Sequence, residues 1–156
     1  MTIIEDTRQQ EGKHRTKHEW FEDNSVKLVR CKLPFGDYAP VPAVSIDTKK
    51  DMEEIAGNIC GKRDEHDRFI RECKAARDAG CKLIFLIENE NDIRDISEVH
   101  TWINPRVIYS PNCVQGARLQ KAMETITERY GVQFLFCAPS ESAQRITEIL
   151  SHERGK

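Results

Sequence analysis

AVSIDTKKDMEEIAGNICGKRDEHDRFIRECKAARDAGCKLIFLIE, residues 43–88, changes its hydrophobic period twice, and those changes decide the fold class. Ala43–Asp47 reads as a short strand. From Lys50 onward, Met52, Ile55, Ala56 and Ile59 recur at three- and four-residue spacing, as an amphipathic helix requires, and Gly61 supplies a stop. Asp64–Ala79 predicts a second helix whose stripe is Phe69, Ile70, Cys73 and Ala76, with Gly80 suited to a left-handed cap. The unbroken apolar run Leu83–Ile87 then has the length of a strand buried on both faces, with Glu88 at its end.

Downstream, a short helix is expected around Ile96–Trp102, and Pro105 blocks its continuation. Val107–Tyr109 reads as a short strand. Residues 113–130 predict a helix with Leu119, Ala122, Met123, Ile126 and Tyr130 on one face, stopped by Gly131. A strand over 132–136 follows, and then a helix over 140–152 with Ala143, Ile146, Ile149 and Leu150 inward. Upstream, Thr2–Asp6 and Val26–Leu33 read as strands, Pro34 and Gly36 mark a bend, and Asp37–Ala39 is a further short segment. Two antiparallel strands joined near Pro40–Pro42 would bring Asp37 close to Asp47. The expected fold is α/β: a mixed sheet flanked by helices, an antiparallel meander in the N-terminal half and parallel strands in the second half.

The 156 residues fit one domain spanning 1–156 with one core, and 38% hydrophobic against 32% charged residues excludes a disordered or fibrous chain. No apolar run is long enough to cross a bilayer, and MTIIEDTRQQ lacks the features of a signal peptide, so a cytoplasmic location is expected. A formal net charge of -2 gives no global attraction to a polyanion; a nucleic-acid surface must be local. The candidate is the basic stretch between Arg8 and His18, where Arg8, Lys13, His14, Arg15, Lys17 and His18 stand against the single acid Glu11. The same stretch is equally well read as a solvated loop. Six dispersed cysteines without CxxC spacing are expected to be reduced core thiols rather than disulfides or zinc ligands.

Asp6, Asp37 and Asp47 all fall at or near strand ends. Residues two apart on a strand share a face, so Asp47 and Lys49 should project together. Two carboxylates with water and phosphate suffice for Mg2+ in phosphodiester hydrolysis, and an ammonium beside them could orient water or offset developing charge. An Asp-x-Lys triplet alone is also what a surface ion pair looks like.

The flanking text narrows the choice. Ile3–Gln10 resembles the opening strand of the XPF-type nuclease domain found in structure-specific DNA endonucleases, Gly36-Asp37-Tyr38 is similar to its Gly-Asp-aromatic motif, and Ser45–Lys49 lies where it carries Val-Glu-Arg-Lys. Glu53 falls at a trailing acid position, Arg68-Phe69 and Phe85–Glu88 match two later motifs, and Gly131–Phe136 resembles the closing strand. The resemblance covers residues 3–136. It implies a restriction-endonuclease-like core of the PD-(D/E)xK superfamily with Mg2+ or Mn2+ as cofactor. Asp37 and Asp47 would be the metal-binding carboxylates, Lys49 the catalytic lysine and Asp6 an accessory catalytic acid. Arg8 would sit in or beside the site; Arg8 and Arg68, with Lys13, Arg15 and Lys17 on the charge of the basic segment, are the residues expected to meet DNA.

The chain departs from the family at three positions: Asp47 replaces Glu, Thr48 replaces Arg, and Gln9 replaces an acid. No helix-hairpin-helix module is expected within the 156 residues, so selection of forked or branched DNA would fall to the basic segment, to a second copy in a homodimer, or to a partner subunit. The helices over 113–130 and 140–152 could offer a dimer face, or simply pack the core. The function expected is a metal-dependent endonuclease of a phage or mobile-element repair or recombination system. The alternative is an inactive nuclease-like subunit that binds DNA or a partner nuclease, which Thr48 and Gln9 favour. A general α/β ligand-binding domain lacks the Gly-rich phosphate loop it would need.

Overall fold

Leu83, Ile84, Phe85, Leu86 and Ile87 are all 4% exposed or less, which makes their strand the axis of the larger part of the molecule. The structure, a computed structural model, describes residues 1–34 and 36–154; Lys156, the expected end of the domain, lies outside them. The chain divides into two compact units, Met1–Pro42 and Ala43–Lys156, and each is described by itself.

The second unit holds the apolar core. Its sheet is β4 (Val44–Lys49), β5 (Lys82–Glu88) and β6 (Gln133–Cys137) in the order β4-β5-β6, all parallel as the sequence predicts. The crossovers are α2 (Met52–Cys60), α3 (Arg63–Ala79) and α4 (Gly116–Tyr130), and α5 (Ser142–Arg154) ends the described chain. Alternate residues of a strand face opposite sides, so Leu83, Phe85 and Ile87 meet the apolar stripes of α2, α3 and α4. The rings of Phe69, Phe85 and Phe134 stack in series, with centroids 4.7 and 5.4 Å apart. Asp51 caps α2 by accepting from the Glu54 amide at 2.7 Å, and Gly131 closes α4 at φ 68°, where a side chain would be strained.

Two expectations in this unit need correction. Val107–Tyr109 is no strand: Pro105–Ile108 is a 3-10 helix whose first turn is held by the Asn104 side chain accepting from the Arg106 amide at 3.1 Å. Proline at the first position fixes the helical φ, and this outweighs the strand preference of Val107 and Ile108. On α5, Ile146 and Ile149 are half-buried, but Ala143 and Leu150 are exposed.

The first unit comprises β1 (Thr2–Asp6), α1 (Arg15–Asp23), β2 (Lys27–Cys31) and β3 (Tyr38–Pro40). Its sheet runs β2-β1-β3, with β1 parallel to β2 and antiparallel to β3, so the expected antiparallel meander is replaced by a mixed sheet. The reason is α1. A crossover is what a parallel pair needs, and the basic stretch read as a loop supplies one by turning helical from Arg15. The expected hairpin between the segments flanking Pro40–Pro42 is also absent, because β3 pairs with β1 and β4 pairs with β5. Leu33 is the only buried apolar side chain of this unit among the described residues; Glu5 and Asp6, at the end of β1, are buried as well.

Candidate active site

β4 ends by delivering Asp47 and Lys49 to the helical side of the sheet, as their two-residue spacing requires. The Lys49 ammonium lies 3.1 Å from Asp47 Oδ1 and 3.2 Å from Oδ2, and 5.6 Å from the centre of the Phe85 ring. Phe85 is the residue paired with Asp47 in the β4–β5 register, so the aromatic floor and the ion pair belong to one layer of the sheet. The Lys49 side chain is 11% exposed and that of Asp47 27%, which shields the pair from bulk water while leaving the carboxylate open on one side.

These two residues line a pocket of about 420 Å³ together with Glu54 and Asn58 of α2 and Glu65, Arg68, Phe69 and Glu72 of α3. Glu72 is exposed on its helix, yet lost hydration and the neighbouring Asp47 charge hold its carboxyl above the usual range, against the pull of Lys49 and Arg68. The Asn58 side-chain oxygen is buried and accepts no hydrogen bond from the described residues. An unpaired buried acceptor costs about 1–3 kcal/mol, so it marks a place where a donor or a cation would be welcome. Among the described residues no group of three or more His, Cys, Asp or Glu gathers as a metal cluster. A hard divalent ion taking one or two carboxylates and completing its shell with water and phosphate nevertheless fits this all-oxygen donor set.

Arg68 lines this pocket and makes no ion pair among the described residues. Glu53 is exposed in the first turn of α2. Glu54, Asn58, Glu65 and Glu72 were not singled out in the sequence. The signal available was helical: Glu65 and Glu72 lie seven apart on the face that carries Phe69.

In the first unit Asp6 is 1% exposed, and each of its oxygens accepts twice. Oδ1 takes the Arg8 amide at 2.7 Å and Nε at 2.8 Å, while Oδ2 takes Arg8 Nη2 at 2.7 Å and the Leu33 amide at 2.8 Å. The Arg8 guanidinium, followed by burial acting in opposition and by the two amides, sets the balance that holds this carboxyl well below the usual carboxylate range. Asp6 and Arg8 thus tie the end of β1 to the bend at Leu33. Asp37 is exposed one residue before β3, and its carbonyl accepts from the Asp6 amide at 2.8 Å. Lys13 is exposed, Arg15 pairs with Glu19 at 2.8 Å, and the Lys17 ammonium lies 5.8 Å from the centre of the Tyr38 ring. Buried Glu5 gathers His18 at 2.7 Å, Arg30 at 3.3 Å and the Tyr38 hydroxyl at 3.3 Å, a cluster the sequence did not reveal.

The model of the ERCC4 domain matches residues 5–150. The chain belongs to the ERCC4 domain family. This is the XPF-type nuclease family to which the motifs point. Among solved structures, the chain is similar to XPF from Aeropyrum pernix at 13% identity and a TM-score of 0.49, covering 100% of this chain and 66% of that one. It is likewise similar to XPF from Aeropyrum pernix in complex with DNA, at 14% identity and a TM-score of 0.49, covering 99% of this chain and 64% of that one. The chain therefore spans a little under two thirds of the length of these relatives. No curated protein matches it.

Proposed function

We propose that this ERCC4 domain is a divalent-metal-dependent DNA endonuclease in which Asp47 binds the ion and Lys49 serves the chemical step. The observation that carries the reading is the Lys49 ammonium resting 3.1 Å from Asp47 Oδ1 at the mouth of a polar pocket. Bound Mg2+ or Mn2+ would polarise a phosphoryl oxygen and lower the pKa of its water. Asp47 offers the hard oxygen. Lys49, fixed over Phe85, sits where its ammonium can orient the attacking water or offset charge building on the phosphorus oxygens. Arg68, at the pocket wall, would hold a neighbouring phosphate.

The resemblance also gives Asp37 a metal-binding role, and this too is a proposal; an Mn2+ titration of Asp37→Asn tests it separately. Forked or branched DNA, met in repair or recombination, is the substrate class the family suggests. The exposed cations Lys13, Arg15 and Lys17 supply backbone affinity.

Lys49→Ala separates chemistry from binding. Loss of a transition-state contact should lower cleavage of a forked duplex by roughly 10²–10³, while calorimetric Mn2+ affinity is kept or rises because a cation has left the site. Equal rates in parent and variant would remove Lys49 from the mechanism. A parent that binds DNA but cuts none of the forked, flapped and single-stranded substrates under Mg2+ or Mn2+ would instead be the non-catalytic subunit.

A further inference from the structure

We propose that Glu72 is a second protein ligand of the divalent ion at Asp47, so that one carboxylate comes from β4 and the other from α3. The inference rests on the metal-dependent reading above and adds to it a residue that no motif assigns.

The placement follows from packing. Phe69, 4% exposed, anchors α3 by stacking on Phe85 at 4.7 Å, and Phe85 is the register partner of Asp47. Three residues on, roughly one helical turn, Glu72 arrives on the same side of α3, lining the pocket with Asp47 and Lys49. Without a metal, two carboxylates share this corner with one ammonium, and that ammonium already pairs with Asp47 at both oxygens. Arg68 makes no ion pair among the described residues, and Glu72 appears in none either. Like charges brought together by a rigid aromatic stack are what a divalent ion would reconcile.

A second feature points the same way. Asn58 comes from a different helix, α2, and lines the same pocket with its side-chain oxygen buried and unpaired. An amide oxygen is a hard donor of the kind Mg2+ and Mn2+ accept alongside carboxylates and water. The pocket thus presents oxygen from β4, α2 and α3 and no nitrogen or sulfur ligand.

The test is an Mn2+ titration of the full chain by calorimetry, paired with melting in metal-free buffer, for the parent, Asp47→Asn, Glu72→Gln and Glu65→Gln. Glu72→Gln should weaken Mn2+ binding by about 10- to 100-fold, the range seen when groups supporting a metal site are removed. It should leave the metal-free melting temperature unchanged or higher, since a charge facing Asp47 has gone. Glu65→Gln, which removes the same charge from the same pocket, should weaken binding by a smaller factor. Parent-like affinity in Glu72→Gln overturns the proposal, as does an equal loss in Glu65→Gln, which would make the effect one of pocket charge. A lower metal-free melting temperature with affinity retained overturns it in favour of a structural role. If Asp47→Asn binds Mn2+ as the parent does, or the parent binds none, the metal-dependent reading itself fails.

Discussion

Asp6 and Asp47 are both aspartates in the C-terminal part of a β-strand, followed two residues later by a cation, yet their surroundings give them different work. Asp6 is saturated by four N–H donors, whereas Asp47 meets one ammonium and a pocket. The sequence shows the shared spacing but not the donors, because the Leu33 amide that completes Asp6 comes from 27 residues away. Since the folded-state carboxyl of Asp6 titrates below its unfolded value of about 3.9, its contribution is present above that value and lost as pH falls through the folded one. Asp6→Asn should therefore lower stability at neutral pH and flatten the acid limb of a urea-midpoint profile measured from pH 7 downward. The fluorescence of Trp20, in the first unit, and of buried Trp102, in the second, reports each unit separately. An acid limb as steep as the parent's would mean that other carboxylates, such as Glu5, control it.

Elements whose pattern was strongly periodic were legible. The stripes of α2 and α4 fall where Met52, Ile55, Ala56, Ile59, Leu119, Met123 and Ile126 are buried. α1 escaped notice because none of its residues is buried; an element without an apolar stripe leaves no periodic trace. The parallel β1–β2 pair escaped with it, since the crossover is what sets its direction. One close approach also has no sequence signature: a Cβ on Gly116 would press on the Val99 carbonyl and lie 2.7 Å from that of Trp102. The start of α4 can dock on Ile96–Thr101 only because that atom is missing. Gly116→Ala should cost about 1–3 kcal/mol by overpacking against backbone, despite the better helix propensity of alanine, and a denaturant titration checks it. A gain in stability would show that the loop yields.

At the scale of the whole molecule, 24 basic against 26 acidic side chains leave DNA affinity to local clusters. Within the first unit Lys13 and Lys17 carry charge without a carboxylate partner among the described residues, whereas Arg15 is paired with Glu19. If both lysines reach phosphates, replacing them with glutamine should reduce the slope of log affinity against log salt by up to about 1.8 on duplex DNA. An unchanged slope would return this segment to the role of a solvated helix start. Composition disclosed the basic segment but not the division into two units, because the apolar residues of both halves look alike in a sequence and differ only in what they find to pack against. In the second unit they converge on β5. A strand hidden on both faces offers no position where a polar replacement goes unpunished, whereas helix exteriors, exposed turns and exposed positions near a strand end, such as Thr48, can absorb one. The molecule is thus least tolerant of change along the axis of its larger unit and most tolerant at exposed positions such as Thr48, next in sequence to two residues of its pocket.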